Sequence, residues 1–269
     1  MPFLNELGFI QANGENNQII EIGKKFAKPV WSNDGKFLYG LSGDAGPGAY
    51  GGHPAYWDLE KSRFGICYRD LPYFEQIQGS GNVENPYEVL VQDVWEIIVM
   101  DLSKCKQVQT LVDFTANPGD FSIAGFSYSP STQELVYGLV VKEREYKIML
   151  LDMNTGEQVQ LAAGINPAWS PDGTHIAYLG LDGLYVMLSN SSEPKQLVSQ
   201  PFFDAWRSGS VWSLASLPRW SSDGEWLVYH RCNTIDICMI EDTHIYKIRS
   251  SGGSEEMIIA GGEYPSWRP

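Results

Sequence analysis

The chain has 269 residues, 43% of them hydrophobic and 13% aromatic, enough apolar surface for a large core. Its formal net charge of −14 and isoelectric point near 4.6 argue against a tracker of nucleic-acid phosphates and against an anionic membrane surface as partner. No stretch approaches the ~20 apolar residues of a membrane-spanning helix. The opening Met-Pro-Phe-Leu-Asn-Glu has neither the basic nor the apolar region of a signal peptide. The protein is therefore expected in the cytoplasm, or in the periplasm or outside the cell if a signal peptide has been removed.

Two extended segments come first, residues 7–11 and 18–22, around a turn-rich Asn13-Gly-Glu-Asn-Asn17. Pro29-Val-Trp31 then opens a unit in which Trp31-Ser-Asn-Asp-Gly-Lys-Phe-Leu-Tyr39 reads as strand, turn, strand. Asp bonds its own backbone in such a turn and Gly accepts positive φ. A Gly-rich loop and two further strand segments complete that unit. A second begins at Pro72-Tyr-Phe74, with its turn stretched over residues 79–86, and a third at Phe126-Ser-Tyr128. The fourth and fifth repeat the first closely, as Trp169-Ser-Pro-Asp-Gly-Thr-His-Ile-Ala-Tyr178 and Trp220-Ser-Ser-Asp-Gly-Glu-Trp-Leu-Val-Tyr229. The chain ends on Pro265-Ser-Trp267-Arg-Pro, the opening half of the same unit.

The opening aromatics recur at ~40–50 residues with four short strands per step, the signature of a propeller blade. The count predicts an all-β, six-bladed propeller of four-stranded antiparallel blades. Blades are expected at residues 29–68, 69–116, 117–163, 164–199 and 200–262, with the sixth shared between residues 1–28 and 263–269. The repeated Pro-x-Trp-Ser-x-Asp-Gly pattern, spanning essentially the whole chain, resembles the WD-like repeats of the TolB propeller family. That resemblance implies the propeller fold and a face turned to protein partners. Similar propellers also precede serine-peptidase domains and occur in pectin-degrading lyases. The separate α/β domain that precedes the TolB propeller has no counterpart in this sequence.

Catalytic signatures are sparse. Gly125-Phe-Ser-Tyr-Ser and Gly209-Ser-Val-Trp-Ser lack the last glycine of a nucleophile elbow, and no phosphate loop, dinucleotide fingerprint or His-Glu-x-x-His is present. Cys232 and Cys238 could close a small loop, whereas Cys67 and Cys105 read as members of unrelated strands; neither arrangement is a zinc signature. No cofactor is expected, although a structural calcium ion would leave little sequence trace.

Long loops carry the functional signal. Residues 43–55, 113–124, 201–217 and 231–243 are expected on one face. The third holds Phe202, Phe203, Trp206, Arg207 and Trp212, and reads either as a flap over the channel mouth or as a recognition surface, with Tyr50 and Arg231 nearby. His53 and His230 fall in or beside these loops. The expectation is a monomeric, non-enzymatic binding module for a peptide or protein segment, with no nucleic-acid partner and no membrane insertion. The alternatives are a carbohydrate lyase or hydrolase acting at the channel mouth, or an accessory subunit of a separate enzyme.

Overall fold

The computed structural model describes residues 6–9, 18–21, 26–43, 52–67, 71–142, 145–190, 193–199, 203–204, 212–213, 218–232 and 243–268. The chain divides into two compact units, Met1–Pro118 with Arg268–Pro269, and Gly119–Trp267. Among the described residues all regular structure is β-strand.

In the first unit, β1 (Glu6–Phe9) pairs with β2 (Gln18–Glu21) as an isolated two-stranded ladder. A four-stranded meander follows: β3 (Ala27–Trp31), β4 (Phe37–Ser42), β5 (His53–Asp58) and β6 (Arg63–Ile66). A second comprises β7 (Gln76–Gly79), β8 (Glu88–Gln92), β9 (Glu96–Asp101) and β10 (Lys106–Asp113). Side-chain alternation makes each sheet two-faced. Phe37, Tyr39, Leu41 and Tyr56 of the first sheet pack on Ile77, Val89, Val91, Ile98 and Met100 of the second and on Phe74 just before it, while Phe26, Leu38 and Ala55 form a separate cluster with Trp31 and Trp57. The stacking of the two sheets also corrects the expectation that Cys67 and Cys105 are unrelated. Cys67 follows β6 and Cys105 lies in the β9–β10 turn, and they form a disulfide with Cα atoms 5.2 Å apart.

The second unit holds three such meanders. They are β11 (Phe121–Ser129), β12 (Glu134–Val141), β13 (Glu145–Asp152) and β14 (Gln158–Ala162); then β15 (Ile165–Trp169), β16 (His175–Gly180), β17 (Gly183–Leu188) and β18 (Lys195–Ser199). A two-residue ladder joins β19 (Phe203–Asp204) to β20 (Trp212–Ser213). The last meander is β21 (Arg219–Trp220), β22 (Trp226–Cys232), β23 (Thr243–Arg249) and β24 (Glu256–Ala260). Ile165, Leu179, Leu184 and Val186 of the second meander pack against Leu227, Tyr229, Tyr246 and Ile248 of the third.

The Ser-x-Asp-Gly turns share one hydrogen-bond plan. Ser170 Oγ donates to Asp172 Oδ1 (2.6 Å) and accepts from His175 N (2.9 Å), while Thr174 N donates to Asp172 Oδ1 (3.0 Å). Ser32 with Asp34 and Ser221 with Asp223 repeat it. The serine hydroxyl, foremost, holds the Asp172 and Asp223 carboxyls below the usual carboxylate range. The first strands also share a bulge just before the Pro-x-aromatic step, where Lys28 (φ 53°) and Asn166 (φ 53°) are left-handed.

The six-bladed expectation is corrected. Among the described residues there are five four-stranded blades, and the two chain ends build no sixth. The described residues before Phe26 form the four-residue strands β1 and β2, which pair with each other. At the other end Tyr264–Trp267 forms no ladder, and the described strands at the start of the chain, β1 and β2, are taken up by each other.

Candidate functional site

Among the sequence-selected residues, His230 and Arg231 are the two whose surroundings are best defined. Both lie within β22, not in a loop, because the alternating run Trp226–Cys232 pairs continuously with Thr243–Arg249. Adjacent strand residues point to opposite faces. His230 is buried, its Nδ1 accepts the Tyr264 main-chain N–H at 2.8 Å, and its ring meets the Tyr264 ring edge-on at 4.9 Å. Arg231 faces the other way. Its Nη2 donates to Glu255 Oε1 at 2.5 Å, and its guanidinium lies 4.1 Å from the centre of the Tyr246 ring. Tyr229, two residues before Arg231 and on the same face, donates its hydroxyl to the other Glu255 oxygen. Burial, then the Glu255 carboxylate, pushes the Tyr229 phenol well above its ordinary value. The carboxylate thus satisfies two donors, the arrangement a partly buried ion pair needs if it is not to destabilise the fold.

His53 opens β5 opposite Ser42, with its ring 5.0 Å from that of exposed Tyr73. Phe203 and Trp212 belong to the β19–β20 ladder, so the segment expected as a loop contains a short paired stretch. Tyr50, Phe202, Trp206 and Arg207 lie outside the described residues, as do Cys238 and its suggested pairing with Cys232. Among the described residues no three His, Cys, Asp or Glu side chains converge as metal ligands would. Sequence reasoning missed Tyr229, Tyr246 and Glu255, whose partnership spans β22, β23 and the residue just before β24. It also passed over Arg219, although a charged residue between Pro218 and Trp220 is visibly at odds with Pro-Val-Trp, Pro-Ala-Trp and Pro-Ser-Trp elsewhere.

A TolB-type protein from Agrobacterium tumefaciens superimposes with a TM-score of 0.72 at 14% identity, covering 98% of this chain and 93% of that one. The chain has the β-propeller fold of these TolB structures. TolB from Acinetobacter baumannii gives a TM-score of 0.66 at 16% identity over 98% of this chain, which spans only 62% of that protein. An oligogalacturonate lyase from Vibrio parahaemolyticus shares the TolB-type fold more distantly, with a TM-score of 0.52 at 11% identity over 95% of this chain and 85% of the lyase. At these identities the likeness is one of fold. No protein-family profile matches the sequence, and no curated protein does.

Proposed function

We propose that this TolB-type propeller is a non-enzymatic binding module that takes up a peptide or protein segment, with residues 201–217 contributing to the recognition surface. The carrying observation is the near full-length likeness to TolB propellers. The state of His230 supports the same reading. Its Nδ1 is committed to the Tyr264 amide and its ring to the Tyr264 ring, which is a structural task. Arg231 is likewise held by Glu255 and Tyr246 inside its own blade. Recognition then falls to aromatic residues of the long segment, where Trp206, Arg207 and Trp212 are the residue types favoured at binding hot spots.

The test compares partner capture by the unaltered protein with that by a Trp206→Ala/Arg207→Ala variant. Loss of a specific captured protein, with melting temperature retained, is expected. Equal capture, or a variant that melts much lower, goes against the reading. The likeness to an oligogalacturonate lyase supports a second reading, polysaccharide cleavage. Incubation with oligogalacturonate, followed by ultraviolet detection of the unsaturated product, decides it: product formation that His53→Ala abolishes would favour the lyase.

A further inference from the structure

We propose that Arg219 is a recognition point for a carboxylate, presented by the peptide segment that the propeller takes up. The peptide clause rests on the binding role argued above; the anion site itself does not.

Arg219 sits in the first strand of its blade, opposite Val228. The same register position is held by Val30, opposite Tyr39, by Ser127, opposite Val136, and by Ala168, opposite Ala177. The repeat therefore builds a blade without a charge there, and the guanidinium is an addition to the structural plan. The guanidinium lies deep among protein atoms, yet the residue is only half-buried and none of its side-chain nitrogens is sealed from solvent. Burial pushes its pKa down to about 10. Among the described residues no carboxylate pairs with it and no acceptor takes a bond from its side chain. Its main-chain carbonyl accepts from the Trp267 indole at 3.1 Å.

The contrast with Arg231 in the same blade is direct, since that guanidinium has both Glu255 and the Tyr246 ring. Desolvating a cation without an anion is costly, and a chain with 33 acidic side chains against 19 Lys and Arg has counter-ions to spare. Among the described residues none is placed at Arg219. A guanidinium held ready in this way gains most from a ligand that brings the missing charge. Its planar fork presents two parallel N–H groups, which match the two oxygens of a carboxylate. A phosphate, with about two charges, would call for more donors than one arginine provides.

The experiment follows thermal melting and tryptophan fluorescence of the full chain during titration with acetate, with chloride at matched ionic strength as control. Trp220 is adjacent to Arg219 and Trp267 bonds to its carbonyl, so fluorescence reports directly on the site. Acetate is expected to raise the melting temperature and shift the emission saturably. Arg219→Gln should abolish both responses, and Arg219→Lys should weaken acetate by at least tenfold. Without acetate, Arg219→Gln should melt no lower than the parent, because it removes an uncompensated charge. An acetate response that survives in Arg219→Gln, no response in the parent, or a clear drop in melting temperature for Arg219→Gln overturns the proposal. A last arm compares a short alanine peptide with a free C-terminus, its amidated form, and galacturonate. Preference for the free carboxyl supports the peptide assignment, and tighter binding of galacturonate overturns it. None of these readouts depends on Trp206 or Arg207, so the anion site and the binding role can fail separately.

Discussion

The indole Nε1 of Trp220 donates to the main-chain carbonyl of Ala168 at 3.0 Å, and Ala168 is the residue just before the opening aromatic of the preceding blade. Trp267 makes the same bond to Arg219, the residue just before Trp220, at 3.1 Å. In these two cases the opening tryptophan is thus fastened to the first strand of the repeat before it, whereas the indole nitrogen of Trp169 is buried without a hydrogen-bond partner among the described residues. The bond gives Trp220 and Trp267 a polar task beyond filling space. Trp220→Phe keeps most of the ring volume and removes the donor, so it should cost about 0.5–1.5 kcal/mol in denaturant unfolding. Trp267→Phe should cost a similar amount. A loss near zero for both would mean that water replaces the indole without penalty.

The turn glycines offer a cleaner comparison. Gly173 and Gly224 occupy equivalent left-handed positions, with φ of 70° and 72°. A Cβ on Gly224 meets nothing within 4 Å, whereas one on Gly173 would lie 2.8 Å from both Ser131 Oγ and Thr132 Cγ2. Gly224→Ala therefore measures the backbone term alone, about 1–2 kcal/mol, and Gly173→Ala should exceed it. Equal losses in chemical denaturation would show that Ser131 and Thr132 move aside freely.

The blades were legible in the sequence because turn chemistry and strand alternation are local. Ser170, Asp172 and Gly173 state their hydrogen bonds in their spacing, and the same triad recurs at Ser32 and Ser221. The blade count was not legible, because a terminal half-repeat looks identical whether or not it finds partners, and Tyr264–Trp267 forms no ladder. Register was also partly hidden. Tyr39 resembles Tyr178 and Tyr229 in the repeat, yet it pairs with Val30, where Ala177 pairs with Ala168. One residue of offset turns Tyr39 to the opposite sheet face, where its hydroxyl donates to the Pro86 carbonyl at 2.6 Å. Glu255 and Arg231 are 24 residues apart, and nothing local announces that pair.

Acid sensitivity should be traceable to Asp101. Burial opposes its ionisation, but Ser103 N (2.9 Å), Ser103 Oγ (2.5 Å) and the Lys104 ammonium (2.9 Å) outweigh that and hold the carboxyl at about 2 against an ordinary 3.8. A carboxyl with a lower pKa folded than unfolded contributes fully above its unfolded value, and the contribution is lost as pH falls toward the folded one. Asp101→Asn should therefore be less stable than the parent at neutral pH, with the difference shrinking between pH 3.8 and about 2. Urea midpoints across that range test this, and a difference constant with pH would show that the charge is not the source.

The largest single effect is expected at the Cys67–Cys105 disulfide. It closes a loop of 38 residues and ties the end of β6 to the β9–β10 turn across the packed faces of two blades. Restricting an unfolded loop of that length is worth roughly 4 kcal/mol in the chain-entropy account, a large part of the ~5–15 kcal/mol that holds a typical domain. Cys67 is 1% exposed, so a reductant should reach the bond slowly in the native protein and quickly once the unit opens. The Cys67→Ser/Cys105→Ser variant should therefore unfold at markedly lower urea than the parent under oxidising conditions. With a reductant present throughout, the parent should shift toward the variant. Packing between the sheets, not the covalent link, would be the main restraint on the first unit if the two proteins unfolded at the same urea concentration in both conditions.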